Sequence, residues 1–167
     1  MKKREIMSLA VMLMIITMTL STSHTTAAET NDTSIPNEYL PYINEVCTEY
    51  GVCPELVMAI VERESSGQAD AVNGDCKGLM QINEKCHRDR MERLGVTDLF
   101  DPYGNVLVGT DYLMELAAEY DDLSTVLMIY NGTRNAVERG ENGDWTDYAE
   151  GIVNRSIELE KMHGKLK

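Results

Sequence analysis

Pro54 to Gly67 reads PELVMAIVERESSG, a helix-forming run in which three glutamates must be placed around an apolar stripe. Pro54 suits the first turn, where its missing N–H has no partner to lose. On a helical wheel, at roughly 100° per residue from Leu56, Ile60, Val57 and Val61 span about 40° to 140°, so the stripe centres near 70°. Glu64 falls at about 80°, inside it, whereas Glu62 and Glu55 fall near 240° and 260°, on the side expected to face water. Burying a carboxylate costs several kcal/mol unless it is paired or stays protonated. Desolvation raises its pKa, and a carboxylic acid that keeps its proton near neutrality can serve as a general acid. On the wheel alone, a frayed helix end, an ion pair with Arg63, or a cap for the next loop accounts for Glu64 equally well.

Outward from this helix, the chain is helical almost throughout. Tyr39 to Tyr50 forms a helix stopped at Gly51. AVNGDCKGLMQIN, with scattered glycines and polar residues, reads as a loop with a short strand pair near residues 70–84. HRDRMERLG gives a brief helix ending at Gly95, and DPYGN gives a turn. From about Asn105 to Asp121, Gly109, Tyr112, Leu113, Leu116, Ala117 and Tyr120 fall on one helical face. Leu123, Val126, Leu127 and Tyr130 continue in a shorter helix. A last helix starts at NGDW, with Trp145, Tyr148, Ala149, Ile152 and Val153 inward, and ends at Gly164. The fold class is mostly α: one helical domain over residues 38–165, with a small irregular or β insert.

The chain opens with MKKRE, then 14 apolar residues from Met7 to Leu20, then STSHTTAAET. A basic start, a short apolar stretch and a small-residue exit make a secretory signal peptide over residues 1–28, with Ala27 and Ala28 before the cut. The apolar run is short of the roughly 20 residues that cross a bilayer, and an uncleaved anchor is the alternative. Residues 29–37 read as a polar linker. Lys2, Lys3, Arg4 and Glu5 carry a net +2, so the net charge of −13 becomes −15 beyond the leader. So acidic a surface argues against nucleic acid and anionic membrane as partners. Four cysteines, Cys47, Cys53, Cys76 and Cys86, suit an exported chain with disulfides. Local pairing, Cys47 with Cys53 and Cys76 with Cys86, is favoured among the three connectivities. A zinc site is a weaker reading, because no C-x-x-C pair exists. No metal or organic cofactor is implied.

Three ordered blocks then become informative: ERESSGQADAVNGDCKGLMQIN, DLFDPYGNVLVGTDYLMEL and YNG, the last being Tyr130 to Gly132. Together, between about Tyr39 and Arg155, they resemble the soluble lytic transglycosylase family, the SLT domain. The resemblance implies a lysozyme-like α+β fold and a secreted or cell-envelope enzyme that cleaves the MurNAc–GlcNAc bond of peptidoglycan strands. It implies that Glu64 is the single catalytic acid, later the base, and that the product ends in 1,6-anhydro-MurNAc. By the same resemblance Ser65 follows the catalytic acid and bonds near it or the sugar, and Met80 and Gln81 line the cleft. Tyr130 hydrogen-bonds the acid, and Asn131 adjoins the sugar's N-acetyl group. Thr133 and Cys76 depart from the family pattern. A lysozyme-type hydrolase is the nearest rival, with Asp70, Asp75 or Asp101 as its second carboxylate. A silent peptidoglycan-binding module is a more distant one. Machinery for wall growth, secretion or conjugation is a compatible partner.

Overall fold

The computed structural model describes residues 32–166, so the expected leader and the first linker residues lie outside the described residues. A 3-10 turn at Asn37–Tyr39 leads into α1 (Leu40–Tyr50), which Gly51 stops in the left-handed conformation. Helix α2 (Pro54–Ser65) follows, with Pro54 at its first position as expected. Three two-residue strands, β1 (Val72–Asn73), β2 (Cys76–Lys77) and β3 (Ile82–Asn83), form the small insert as an antiparallel sheet in that order. Its register pairs Val72 with Lys77 and Lys77 with Ile82.

Helix α3 (Glu84–Leu94) begins three residues earlier than its periodicity suggested, because the Asn83 side chain caps it by accepting from the Lys85 and Cys86 amides. The backbone departs from helical angles at His87. Helix α4 (Pro102–Glu119) starts on an Asp101 cap, and α5 (Leu123–Tyr130) on an Asp122 cap. Helix α6 (Ala136–Glu141) was not expected. Helix α7 (Asp147–Met162) starts after Thr146, whose hydroxyl accepts from the Ala149 amide. That boundary leaves Trp145 outside the helix and 42% exposed, not inward as the pattern suggested.

The core lies between α2 and α7, with α1, α4 and α5 around it. Val57, Ile60 and Val61 of α2 meet Ile152 and Leu159 of α7 in one buried cluster. Burying such side chains contributes roughly 1.5–3 kcal/mol each. Residues 32–36 are not a loose linker. Ile35 is fully buried, and the Ser34 amide donates to Glu62 at 3.0 Å.

Two of the three glutamates of α2 depart from the wheel. Glu62 is clasped by Arg155 at 2.6 Å. Glu55, expected in water, is 1% exposed and is met by His163 and Lys165, both at 2.7 Å, and by the Cys53 thiol. A wheel reads one helix alone, and here the C-terminal segment covers the far side. Burial alone would raise the Glu55 pKa, but Lys165, His163 and Cys53 outweigh it and hold the carboxyl at about 2. All four cysteines are free thiols, so neither favoured disulfide is made in this structure. Burial pushes the Cys47 thiol up to about 12.

Candidate active site

Glu64 stands in the last turn of α2, just before Ser66 ends the helix in the left-handed conformation. It is half-buried. Tyr148, in the first turn of α7, is buried and donates its hydroxyl to Glu64 Oε1. Because α7 lies along α2, the start of one helix meets the end of the other, and the two side chains converge. Burial raises the Glu64 pKa, and the Tyr148 hydrogen bond and the Arg63 charge offset only part of that. Arg63 itself sits over the Tyr148 ring, 5.8 Å from its centroid.

Tyr130, at the end of α5, reaches the same place, where burial and the Glu64 charge raise the pKa of its phenol. Its hydroxyl donates to the Met80 carbonyl at 3.0 Å. The bond to the acid expected of Tyr130 therefore belongs to Tyr148. Cys76 is the fourth neighbour, its thiol raised by burial and next by the Glu64 charge.

The loop before β3 is locked from behind by Asn105 of α4, which is fully buried and uses its whole amide. Its Nδ2 donates to the carbonyls of Lys77 at 2.9 Å and Leu99 at 2.8 Å, and its Oδ1 accepts from the Met80 amide at 2.7 Å. Gly78 makes this possible, since a Cβ there would lie 2.2 Å from Asn105 Nδ2. Gln81 follows with a φ of 50°, a left-handed angle uncommon outside glycine. Its amide donates to Gly78 O at 2.9 Å and Ala71 O at 3.2 Å, bracing the turn.

The other expected contacts are placed differently. Met80 is fully buried against Gly109, so its side chain supports the site from beneath and offers nothing to a ligand. The Ser65 hydroxyl donates back to Val61 O at 3.1 Å, within its own helix. Asn131 is exposed at the end of α5, next to Tyr130. Of the candidate second carboxylates, Asp75 is paired with Lys85 at 2.8 Å, Asp101 caps α4, and Asp70 is exposed. Among the described residues no group of three or more His, Cys, Asp or Glu could hold a metal ion.

The arrangement can hold one proton on one carboxyl beside a phenol that steadies it once ionised. Tyr148 is the residue that sequence reasoning missed in this role. It was recognised as inward-facing, and a buried phenol needs a polar partner, but nothing in the pattern said which of two tyrosines met Glu64.

Residues 41–149 match the family model described as the Transglycosylase SLT domain. The chain is 34% identical over 134 residues to the membrane-bound lytic murein transglycosylase C of Serratia proteamaculans, covering 71% of this chain and 37% of that protein. It is 33% identical over 118 residues to the transglycosylase of Enterobacteria phage PRD1, covering 70% and 42%. Both relatives are thus spanned over less than half their length. The fold resembles an inactive mutant of the lytic transglycosylase Slt from Pseudomonas aeruginosa, with a TM-score of 0.65 and 15% identity, covering 80% of this chain and 25% of that one. The chain belongs to the Transglycosylase SLT domain family.

Proposed function

We propose that the chain is a peptidoglycan lytic transglycosylase in which Glu64 acts first as acid and then as base. The observation that carries this reading is the half-buried carboxyl of Glu64, its pKa raised by burial and its Oε1 bonded to Tyr148. The protonated acid gives its proton to the glycosidic oxygen between MurNAc and GlcNAc, and the bond from that oxygen to C1 breaks. The sugar's own N-acetyl group shares the positive charge at C1. Glu64, now a carboxylate stabilised by Tyr148, takes the proton of the C6 hydroxyl as its oxygen closes on C1. The product is a 1,6-anhydro-MurNAc end, and water is not consumed.

One carboxyl suffices because the nucleophile is already tethered, which can supply several kcal/mol otherwise spent on bringing two molecules together. A hydrolase of this kind needs a second carboxylate. Asp75 and Asp101 have structural partners, which leaves exposed Asp70 as the one nominated carboxylate still open to a hydrolase. Gln81 and Asn131 are the remaining candidates for substrate contact. The test is digestion of purified walls by wild type and Glu64→Gln. Clearing by the first alone supports the assignment, and equal clearing removes Glu64 from it.

Such a substrate places the protein outside the cytoplasm, in keeping with a signal peptide over residues 1–28. Wall-growth, secretion or conjugation machinery fits as a partner. In that oxidising setting each favoured cysteine pair closes into a disulfide. Cys53 lies near enough to Cys47 to add to the rise that burial gives its thiol pKa, and Cys86 does the same to Cys76.

A further inference from the structure

The helix that carries Glu64 ends on two successive left-handed residues, Ser66 with φ 53° and Gly67 with φ 78°. Helix ends fray, because their last carbonyls have no partner inside the helix. Proton transfer needs the carboxyl held in place, since a misplacement of about 1 Å can cost on the order of a hundredfold in rate. The last turn of α2 therefore needs support from outside the helix.

The chain ahead of α1 supplies it. Ser34, Ile35 and Pro36 lie so close to Gly67 that a Cβ there would fall 2.7 Å from Ser34 O and 2.9 Å from Ile35 Cα. The Ile35 side chain is anchored in the buried core. On the other side of the turn, the Ser34 amide donates to Glu62 Oε1 at 3.0 Å. Arg155 of α7 then locks the two together. Its Nε and Nη2 donate to the two Glu62 oxygens at 2.6 and 3.1 Å, and Nη2 also donates to the Asp32 carbonyl at 2.6 Å. Such two-pronged guanidinium–carboxylate pairs are strong and directional. The segment is thus fixed two residues before Glu64 and three residues after it. Residues 32–36 and Arg155 both lie outside the family-matched residues 41–149, so this support reaches the matched domain from beyond it.

We propose that residues 32–36, locked by Arg155, are a positioning strap that holds the last turn of α2 and so sets the aim and the burial of Glu64. The inference rests on Glu64 being the acid of the proposed reaction. The groups whose charge or hydrogen bond reaches Glu64 are Arg63, Tyr148, Tyr130 and Cys76, none of them in the strap. Glu62 lies roughly 160° around the helix from Glu64, so the strap braces the turn from behind and touches no substrate. Arg155 and Ile35 are positioning residues on this reading. Loosening the strap should slow the chemical step and leave substrate binding alone. It should also admit water to Glu64 and lower a pKa that burial had raised.

The test compares wild type, Arg155→Ala and Ile35→Ala on purified walls, at a temperature where circular dichroism shows each folded. Both variants are expected to lose roughly tenfold in kcat with KM kept, a fraction of the cost of a full misplacement. The limb on which activity falls with rising pH should move to lower pH in both. Glu158→Ala, which removes only the exposed partner of Arg155, should behave as wild type. Should Arg155→Ala fail to fold, Arg155→Lys carries the same readings, because it keeps the charge but cannot hold Glu62 and Asp32 together. Titration of the Glu64 carboxyl by carbon NMR reads the strap without turnover, so a failure of the lyase assignment does not blur the result. A lower Glu64 pKa in the Arg155 variant supports the proposal. A folded Arg155 variant with unchanged kcat, a loss through KM alone, or an unmoved Glu64 titration overturns it.

Discussion

Replacing Glu55 with glutamine removes a charge at the start of the helix whose last turn carries Glu64, and the size of the effect follows from the geometry. The carboxyl is 1% exposed and sits at about 2. Against an ordinary glutamate at about 4.3, and at about 1.4 kcal/mol per pH unit, the ionised form contributes at most about 3 kcal/mol. His163 and Lys165 are 34% and 49% exposed, and water screens them. The expected share is therefore about 2 kcal/mol. Because the folded pKa is depressed, this stability is fully present above the unfolded value and is lost as pH falls from about 4 towards 2. For a domain of this size the loss corresponds to about 5–8 °C in Tm at neutral pH. Thermal melts followed by circular dichroism from pH 7 to pH 3 read it, with urea midpoints as a second measure. The Glu55→Gln deficit should shrink as the pH falls, with roughly half of it left at pH 3. An equal Tm at neutral pH, or a deficit that stays constant with pH, would mean that the Glu55 charge does not stabilise the fold.

Tyr148→Phe removes the bond that steadies ionised Glu64, so kcat should fall about tenfold. The limb on which activity is lost with rising pH should move to higher pH, because that bond opposes the effect of burial on the acid. An unmoved limb would make Tyr148 merely structural. Asn105→Ala strands the Met80 amide and two carbonyls behind the site, and about 3 kcal/mol of stability should go, read by urea unfolding. A loss under 1 kcal/mol would show that the loop does not depend on it. Thiol titration of the oxidised protein should find no free thiol in wild type and one in Cys86→Ser, where Cys76 is left alone. An unchanged titre would exclude the Cys76–Cys86 bridge.

Much of this fold was legible from spacing because helices α1, α2, α4 and α5 carry long apolar stripes. Helix α6 was not, since six residues of AVERGE hold too little periodicity to register. Trp145 was misplaced for the opposite reason. Its side chain looks like core, but the Thr146 cap sets the helix start at Asp147, two residues past it. Glu64 was found because a carboxylate on an apolar stripe conflicts with its surroundings, and that conflict is visible along a single helix. Glu55 hid because its partners come from the far end of the chain, more than 100 positions away. Tyr130 and Tyr148 both satisfied the rule that a buried phenol needs a partner. Which hydroxyl reached the acid depended on how α7 lies along α2, and that is tertiary information.

How the broken bond is closed separates the single-carboxyl lyase from a hydrolase most directly. Purified wall digested in isotopically labelled water, with the released fragments weighed by mass spectrometry, decides it. Ring closure onto C1 predicts fragments lighter by one water than a reducing end, with no label taken up. Reducing ends carrying the label would mean that water attacks, and the reading of Glu64 as the sole acid and base would fail.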